Sequence, residues 1–324
     1  MESDKRRVTS TDVARVSGVS RATVSYVLNN DPRQSIPPGT RERVLMVAKE
    51  LGYRPFTAAR ILRAGYSRIV LVVLPFELVD PAIARSLKEL EGELAAHGFS
   101  LIWYVGLHTT MGHIHPSANL TPAVIVSYTD ETDLAIEAFL QQFNVPILSM
   151  SNETSRQTIG RAQVSYLFER GQSRIVFAAP ERQDVQWLAQ ARLDGVRQRC
   201  AEYALDPPFV QVIPSSREGA REAITHLLAQ QSPPFGVCCY NDEVAFAVLA
   251  AFSDVGVQVP ESVLVIGCDD IPLAQFSIPP LTTISFDNSQ WRDLLVENIL
   301  AASRGDPTRE VFPSPYLVIV RVSA

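Results

Sequence analysis

The chain has 324 residues, 46% of them hydrophobic and 20% charged, and a net charge of −6. That composition is globular and long enough for two or three domains, with no apolar run near the roughly 18 residues of a membrane span. The opening "MESDKRRVTSTDVARVSG" has no apolar stretch behind its basic residues, so it is not read as a secretory signal. Cys200, Cys238, Cys239 and Cys268 form no spaced framework, which fits buried thiols in a reducing cytoplasm.

Charge is distributed unevenly. Residues 1–65 hold twelve Lys/Arg against six Asp/Glu, a net +6 that leaves −12 on the rest. A basic head on an acidic body suits a head that meets a polyanion and a body that does not.

In chain order, the head reads as three short helices. Thr9, Ser10 or Thr11 can cap the first, which runs to about Ser17 with Asp12 in its first turn; Gly18 makes the turn. Ser20 caps the second, which runs to about Asn29. After a loop, Thr40 starts the third, with Val44, Val47, Ala48 and Leu51 at helical spacing and Gly52 as its stop. "TAARILRAG" (57–65) has a cap and a terminator with barely two turns between them, too short for a stable isolated helix.

From Arg68 the pattern changes to apolar strands alternating with helices. "RIVLVVLPF", "SLIWYVG", "PAVIVSY", "VPILSMS", "SRIVFAAP", "FVQVIP", "FGVCCYND" and "SVLVIGCDD" read as strands. Helices are expected over "PAIARSLKELEGELAAHGF" and around 184–203, 217–231, 242–256 and 288–304. This alternation means doubly wound parallel sheets, and the number of strands implies two lobes.

The second head helix is short and polar on one side. Val13, Ala14, Val19, Val24, Val27 and Leu28 can pack inward, leaving Ser20, Arg21, Ala22, Ser25, Tyr26 and Asn29 outward. Helix, tight turn and small polar helix form a helix-turn-helix pattern, in which Arg21 can fork onto guanine O6/N7. An ordinary three-helix bundle with a polar surface satisfies the same pattern.

The stretches "TSTDVARVSGVSRATVSYVLNND" and "TRERVLMVAKELGYRPFTAARILRAG" resemble the head and hinge of the LacI/GalR family of transcriptional regulators. "ARLDGV" (191–196) and "FGVCCYNDEVAFAVLAAFSDVGVQVPESVLVIGCDDIPLAQFSIPPLTTI" (235–284) are similar to that family's periplasmic-binding-protein-like core. The resemblance implies a fold with an all-α helix-turn-helix head (1–56), a hinge helix and linker (57–67) and a two-lobed α/β effector-binding and dimerisation domain (68–324). Lobe one would take about 68–152 and 285–311, and lobe two about 153–284 and 312–324. It also implies a repressor-type regulator that binds a palindromic double-stranded DNA operator as a homodimer, with a tetramer left open. DNA contacts would come from Thr9, Ser10, Ser20, Arg21, Ala22, Thr23, Ser25, Tyr26, Asn29, Tyr53, Ala59, Leu62 and Arg63, with Leu62 wedging a minor-groove base step. A small polar metabolite, a sugar or a relative of one, would sit between the lobes on Phe76, Arg192, Asn241 and Asp269.

Two departures from the family pattern stand out: Ala22 cannot hydrogen-bond a base, which leaves direct readout mainly to Arg21 with Tyr26 and Ser20 as supports, and the first lobe is trimmed. "LHTTMGHIHPSANLT" occupies the place of a full crossover helix, and "ETSRQTIG" is read as what remains of a strand. They raise a second reading, a regulator that has lost small-molecule control. A soluble sugar-binding module is a third, which leaves the basic head unexplained. His108, His113 and His115 fall within eight residues, but no second ligand cluster accompanies them, so loop histidines are expected and no metal or other cofactor. Asn241-Asp242 and Asp269-Asp270 close apolar strands where ligands sit in open α/β sheets. No nucleophile elbow or phosphate loop completes an enzyme, and none is expected. A cytoplasmic location with no membrane contact follows.

Overall fold

The computed structural model describes residues 8–28, 35–53, 67–106, 121–128, 134–150, 153–310 and 315–324. Asn29, "TAARILRAG" with Ala59, Leu62 and Arg63, and the three histidines of 108–115 lie outside the described residues. The chain divides into two compact units, Met1–Ser67 and Arg68–Ala324.

The first unit holds α1 (Ser10–Ser17), α2 (Arg21–Leu28) and α3 (Pro38–Glu50). Its local sequence explains each boundary. Thr9 and Asp12 form a reciprocal capping box at the start of α1, with Thr9 N–H donating to Asp12 Oδ2 at 2.9 Å. Gly18 stops the helix at φ +69°, a conformation costly for any residue with a Cβ. Ser20 Oγ accepts the Thr23 N–H at 3.1 Å and opens α2. Helix α3 starts at Pro38, two residues before the expected Thr40, because proline's locked φ suits a first helical position where no amide donor is needed. Val13, Ala14, Val24, Val27, Val44, Val47 and Ala48 fill the small core. Burying each valine is worth roughly 1.5–3 kcal/mol, so this unit is held by few groups.

The second unit contains two sheets. The first orders β1 (Ile69–Leu74), β2 (Ser100–Val105), β3 (Val124–Ser127) and β4 (Ile147–Ser149) as β2-β1-β3-β4, all parallel. The second contains β5 (Ile175–Pro180), β6 (Phe209–Ile213), β7 (Phe235–Cys239), β8 (Val263–Cys268), β9 (Thr282–Phe286) and β10 (Tyr316–Ile319). Its order is β10-β9-β8-β7-β5-β6, parallel except for β10.

Helices cover both faces, which is why the strands are apolar on both sides. In lobe one, Val70, Val72 and Leu74 pack with Leu87, Leu90 and Leu94 of α4 (Pro81–Ala96). Leu71 and Val73 face Ile136, Phe139 and Leu140 of α5 (Leu134–Gln141). In lobe two, Phe177 packs on the side of α6 (Glu153–Glu169) and α7 (Gln186–Glu202), while Val176 and Ala178 pack on the side of α8 (Arg217–Gln230) and α9 (Asp242–Asp254). After Phe286 the chain leaves the second sheet for α10 (Ser289–Arg304), whose Arg292 pairs with Glu89 and Glu93 of α4 in lobe one.

"ETSRQTIG" is helical: it is the first half of α6, not the remnant of a strand. Tertiary packing accounts for this. A Cβ on Gly160 would overlap the Arg192 carbonyl, and one on Gly195 would overlap the Gln157 carbonyl, so α6 and α7 cross with their backbones in near contact. All four cysteines are free and buried, and burial pushes their thiols up. Among the described residues no helix is long and apolar enough to cross a membrane, and no group of three His, Cys, Asp or Glu could hold a metal ion.

Candidate DNA-reading helix and interlobe cavity

In the head, α2 presents a narrow polar face. Ser20, Arg21 and Ala22 are exposed, Thr23, Ser25 and Tyr26 half-buried, and Val24 and Val27 turned into the core. Arg21 is bonded to no other described residue, so its guanidinium is available. Thr9 and Ser10 stand at the start of α1, where Thr9 is occupied by its capping box and Ser10 is half-buried. Tyr53 packs against the head core, and its N–H donates to the Ala48 carbonyl at 2.8 Å. One contact not foreseen is Arg43, whose Nε donates to the Ser17 carbonyl at 3.0 Å and ties α3 to the end of α1.

In the body, a cavity of about 180 Å³ opens where the carboxyl ends of the two sheets face each other. At roughly 10–15 Å³ per water, that space admits a molecule of about 12–18 heavy atoms. Tyr128 after β3 and Met150 after β4 line it from lobe one, with Asp80 and Arg85 of the α4 end. Tyr240 after β7, Asp269 after β8, Arg192 of α7 and Arg156 of α6 line it from lobe two, and Trp291 of α10 completes the wall. This is the crevice position expected for open α/β sheets.

Arg192 is buried. Its Nη1 donates to the Tyr240 carbonyl, its guanidinium lies 4.4 Å over the Tyr240 ring, and its Nη2 stands 3.9 Å from Asp269 Oδ1. Burial opposes its charge, but Cys268, Tyr240 and Asp269 more than offset this and raise its pKa. Burial pushes the Asp269 carboxyl up to about 6, with Arg192 and the Cys268 thiol pulling it back. Asp269 also sits at φ +107° and Asp270 at +45°, a left-handed turn disfavoured for residues with a Cβ. The turn is held from below: Ile271 N–H donates to Asp242 Oδ2 at 2.9 Å, and Arg321 pairs with Asp270 at 2.7 Å. From across the cleft, Arg85 donates to the Asp269 carbonyl at 3.2 Å.

Of the four residues expected at the effector site, Arg192 and Asp269 line the cavity together, while Phe76 and Asn241 are not among the lining residues. Phe76 is a buried backing residue, edge-on to Tyr128 at 5.6 Å and stacked on Trp187 at 6.5 Å. Asn241 caps α9, its Oδ1 accepting the Val244 N–H at 3.0 Å; this helix-start geometry uses its side chain locally. Tyr128 and Tyr240 were not singled out. Both directly follow apolar strands, the one signal that marked them.

Residues 9–55 match the profile of bacterial regulatory proteins of the lacI family, and residues 164–324 that of a periplasmic binding protein-like domain. The HTH-type transcriptional repressor CytR of Escherichia coli (strain K12) is 31% identical, over 88% of this chain and 87% of that protein. The repressor PurR of Haemophilus influenzae is 26% identical, over 84% of each. Among solved structures, the lac repressor dimer bound to operator and the anti-inducer ONPF superimposes with a TM-score of 0.77 at 23% identity, covering 98% of this chain and 99% of that one. The complex of the transcriptional regulator CelR with cellobiose gives 0.66 at 23% identity, over 98% and 100%. The fold thus defines a two-lobed, periplasmic-binding-protein-like body and a helix-turn-helix head. The chain belongs to the lacI family of bacterial regulatory proteins and is a DNA-binding transcriptional regulator.

Proposed function

We propose that this protein is a repressor that binds a pseudo-palindromic operator as a homodimer and is controlled by a small polar metabolite, a sugar or a relative of one, held in the interlobe cavity. The observation that carries this reading is the cavity itself. It combines a buried Arg192–Asp269 pair, able to bond vicinal hydroxyls, with the aromatic walls of Tyr128, Tyr240 and Trp291. The solved relatives bound to ONPF and to cellobiose support a sugar-like ligand.

On this reading residues 1–56 bind DNA, 57–67 form the hinge, and 68–324 bind the effector and dimerise. Ser20, Arg21, Ala22, Thr23, Ser25 and Tyr26 contact the major groove, with Thr9, Ser10 and Tyr53 at its edge. Asn29, Ala59, Leu62 and Arg63, outside the described residues, complete the DNA contacts. Two heads one helical turn apart double the few base contacts of one. The 272–278 segment exposes Leu273, Phe276 and Ile278, the last at 88%, an apolar patch suited to covering by a second copy. The protein acts by binding rather than catalysis, and in the cytoplasm, where its operator is.

The test has three steps: select bound sites from random DNA, screen metabolites for release or tightening on the selected site, and measure mass by sedimentation. A palindromic consensus, a metabolite effect and a dimer are expected. Tight operator binding that no metabolite alters would favour a regulator without small-molecule control.

A further inference from the structure

The two lobes also meet at a second cluster, beside the effector cavity. It is built from the loops that follow β1 and β5, an interior strand in each sheet. Arg182 of lobe two is its hub. Arg182 Nε and Nη2 fork onto Asp184 at 3.2 and 2.7 Å, Nη2 also donates to the Leu78 carbonyl at 2.8 Å, and Nη1 donates to Asp80 Oδ1 at 2.8 Å. Asp184 in turn accepts the Glu77 N–H at 2.8 Å. Three of these five bonds therefore cross from lobe two to lobe one.

Asp80 is the residue that links this cluster to the cavity. It is buried and lines the cavity wall, and it precedes α4 without capping it through its side chain. Its one hydrogen-bond donor among the described residues is Arg182, from the opposite lobe. A desolvated carboxylate is costly without a partner. The closed cleft therefore satisfies Asp80 through Arg182, and an open cleft must give it to water. Stacking of Trp187 on Phe76 closes the same seam with apolar surface.

We propose that Arg182 is a positioning residue that acts through Asp80, forming with Asp184 a cross-cleft clasp that sets the balance between closed and open lobes. The proposal rests on the cavity being the effector site, because a clasp on its wall is what would couple occupancy to closure.

The Glu77 amide is the readout, since it donates across the cleft and neither test substitution removes its acceptor. Hydrogen exchange is followed on the full-length protein with no metabolite added, for Arg182→Gln, Asp80→Asn and the double variant. Exchange at Glu77 is expected to quicken about tenfold or more in each single variant, and no further in the double, while the β5 and β7 amides keep wild-type protection. Unchanged exchange at Glu77, additive effects in the double variant, or a rise matched by β5 and β7 would each overturn the clasp. Should Asp80→Asn not fold, Arg182→Lys replaces it. Lysine's three donors radiate from one nitrogen and cannot reproduce the guanidinium's fork onto Asp184 while reaching Asp80 and Leu78, so exchange between wild type and Arg182→Gln is expected, and wild-type exchange counts against the proposal. No metabolite enters the measurement, so this result and the failure of every metabolite to act on DNA binding are separable.

Discussion

Arg192 Nη2 stands 3.9 Å from Asp269 Oδ1, too far for a hydrogen bond and close enough for a buried charge pair. The gap leaves both groups with bonding capacity directed at the cavity. Asp269→Asn is expected to weaken, by at least about tenfold, the binding of whichever metabolite alters operator binding, since hydrogen bonds to charged groups are worth about 1.5–3 kcal/mol. Operator affinity without metabolite should be unchanged. Calorimetry measures the first and DNA titration the second; unaltered metabolite binding would remove Asp269 from the site.

Asp242 supports the turn that carries Asp269, and burial pushes its carboxyl up to about 7. In the unfolded chain it titrates near 3.9, as an ordinary aspartate does. Between those values the folded state binds more protons than the unfolded one. This group's contribution to stability therefore falls as pH rises from about 4 to about 7, by at most about 1.4 kcal/mol per pH unit. Asp242→Asn removes that contribution. The melting-temperature advantage of wild type over variant should shrink across this range, and a constant difference refutes the assignment.

The crossing of α6 over α7 has no room for a side chain at Gly160 or Gly195. Gly160→Ala is expected to cost about 1–3 kcal/mol, as overpacking does. Urea unfolding reads this directly. A neutral result would mean that the helices part easily, and with them the mounting of Arg192.

Arg21→Ala should relax base preference at one position of each half-site by roughly 1–3 kcal/mol. If instead all sequences weaken evenly and the salt slope drops by about one, Arg21 contacts phosphate alone.

Leu62→Ala should reduce operator affinity and DNA bending while leaving the body folded, because alanine cannot fill an unstacked base step. Bending measured by gel mobility that matches wild type would assign the wedge elsewhere.

What the sequence determined by itself was what depends on neighbours within a few residues. The start of α1 at Thr9, Ser10 or Thr11, the stop at Gly18 and the cap at Ser20 are all of this kind, since helix ends are decided locally. The alternation of apolar strands with helices likewise required parallel sheets covered on both faces. Asn241 shows the limit of such reading: at the end of an apolar strand it has the place of a ligand contact, yet the helix behind it uses its side chain as a cap. Helix α6 is not legible locally, because its marker is a glycine whose place is set by the α7 backbone, 32 residues or more further along. Only the tertiary structure decided which strand-end residues face one another. Asp80 meets Arg182 across 102 positions, and Arg85 meets Asp269 across 184. Those pairings exist because two sheets turn their carboxyl ends toward a shared cleft, and no pattern of neighbouring residues encodes the angle at which they do so.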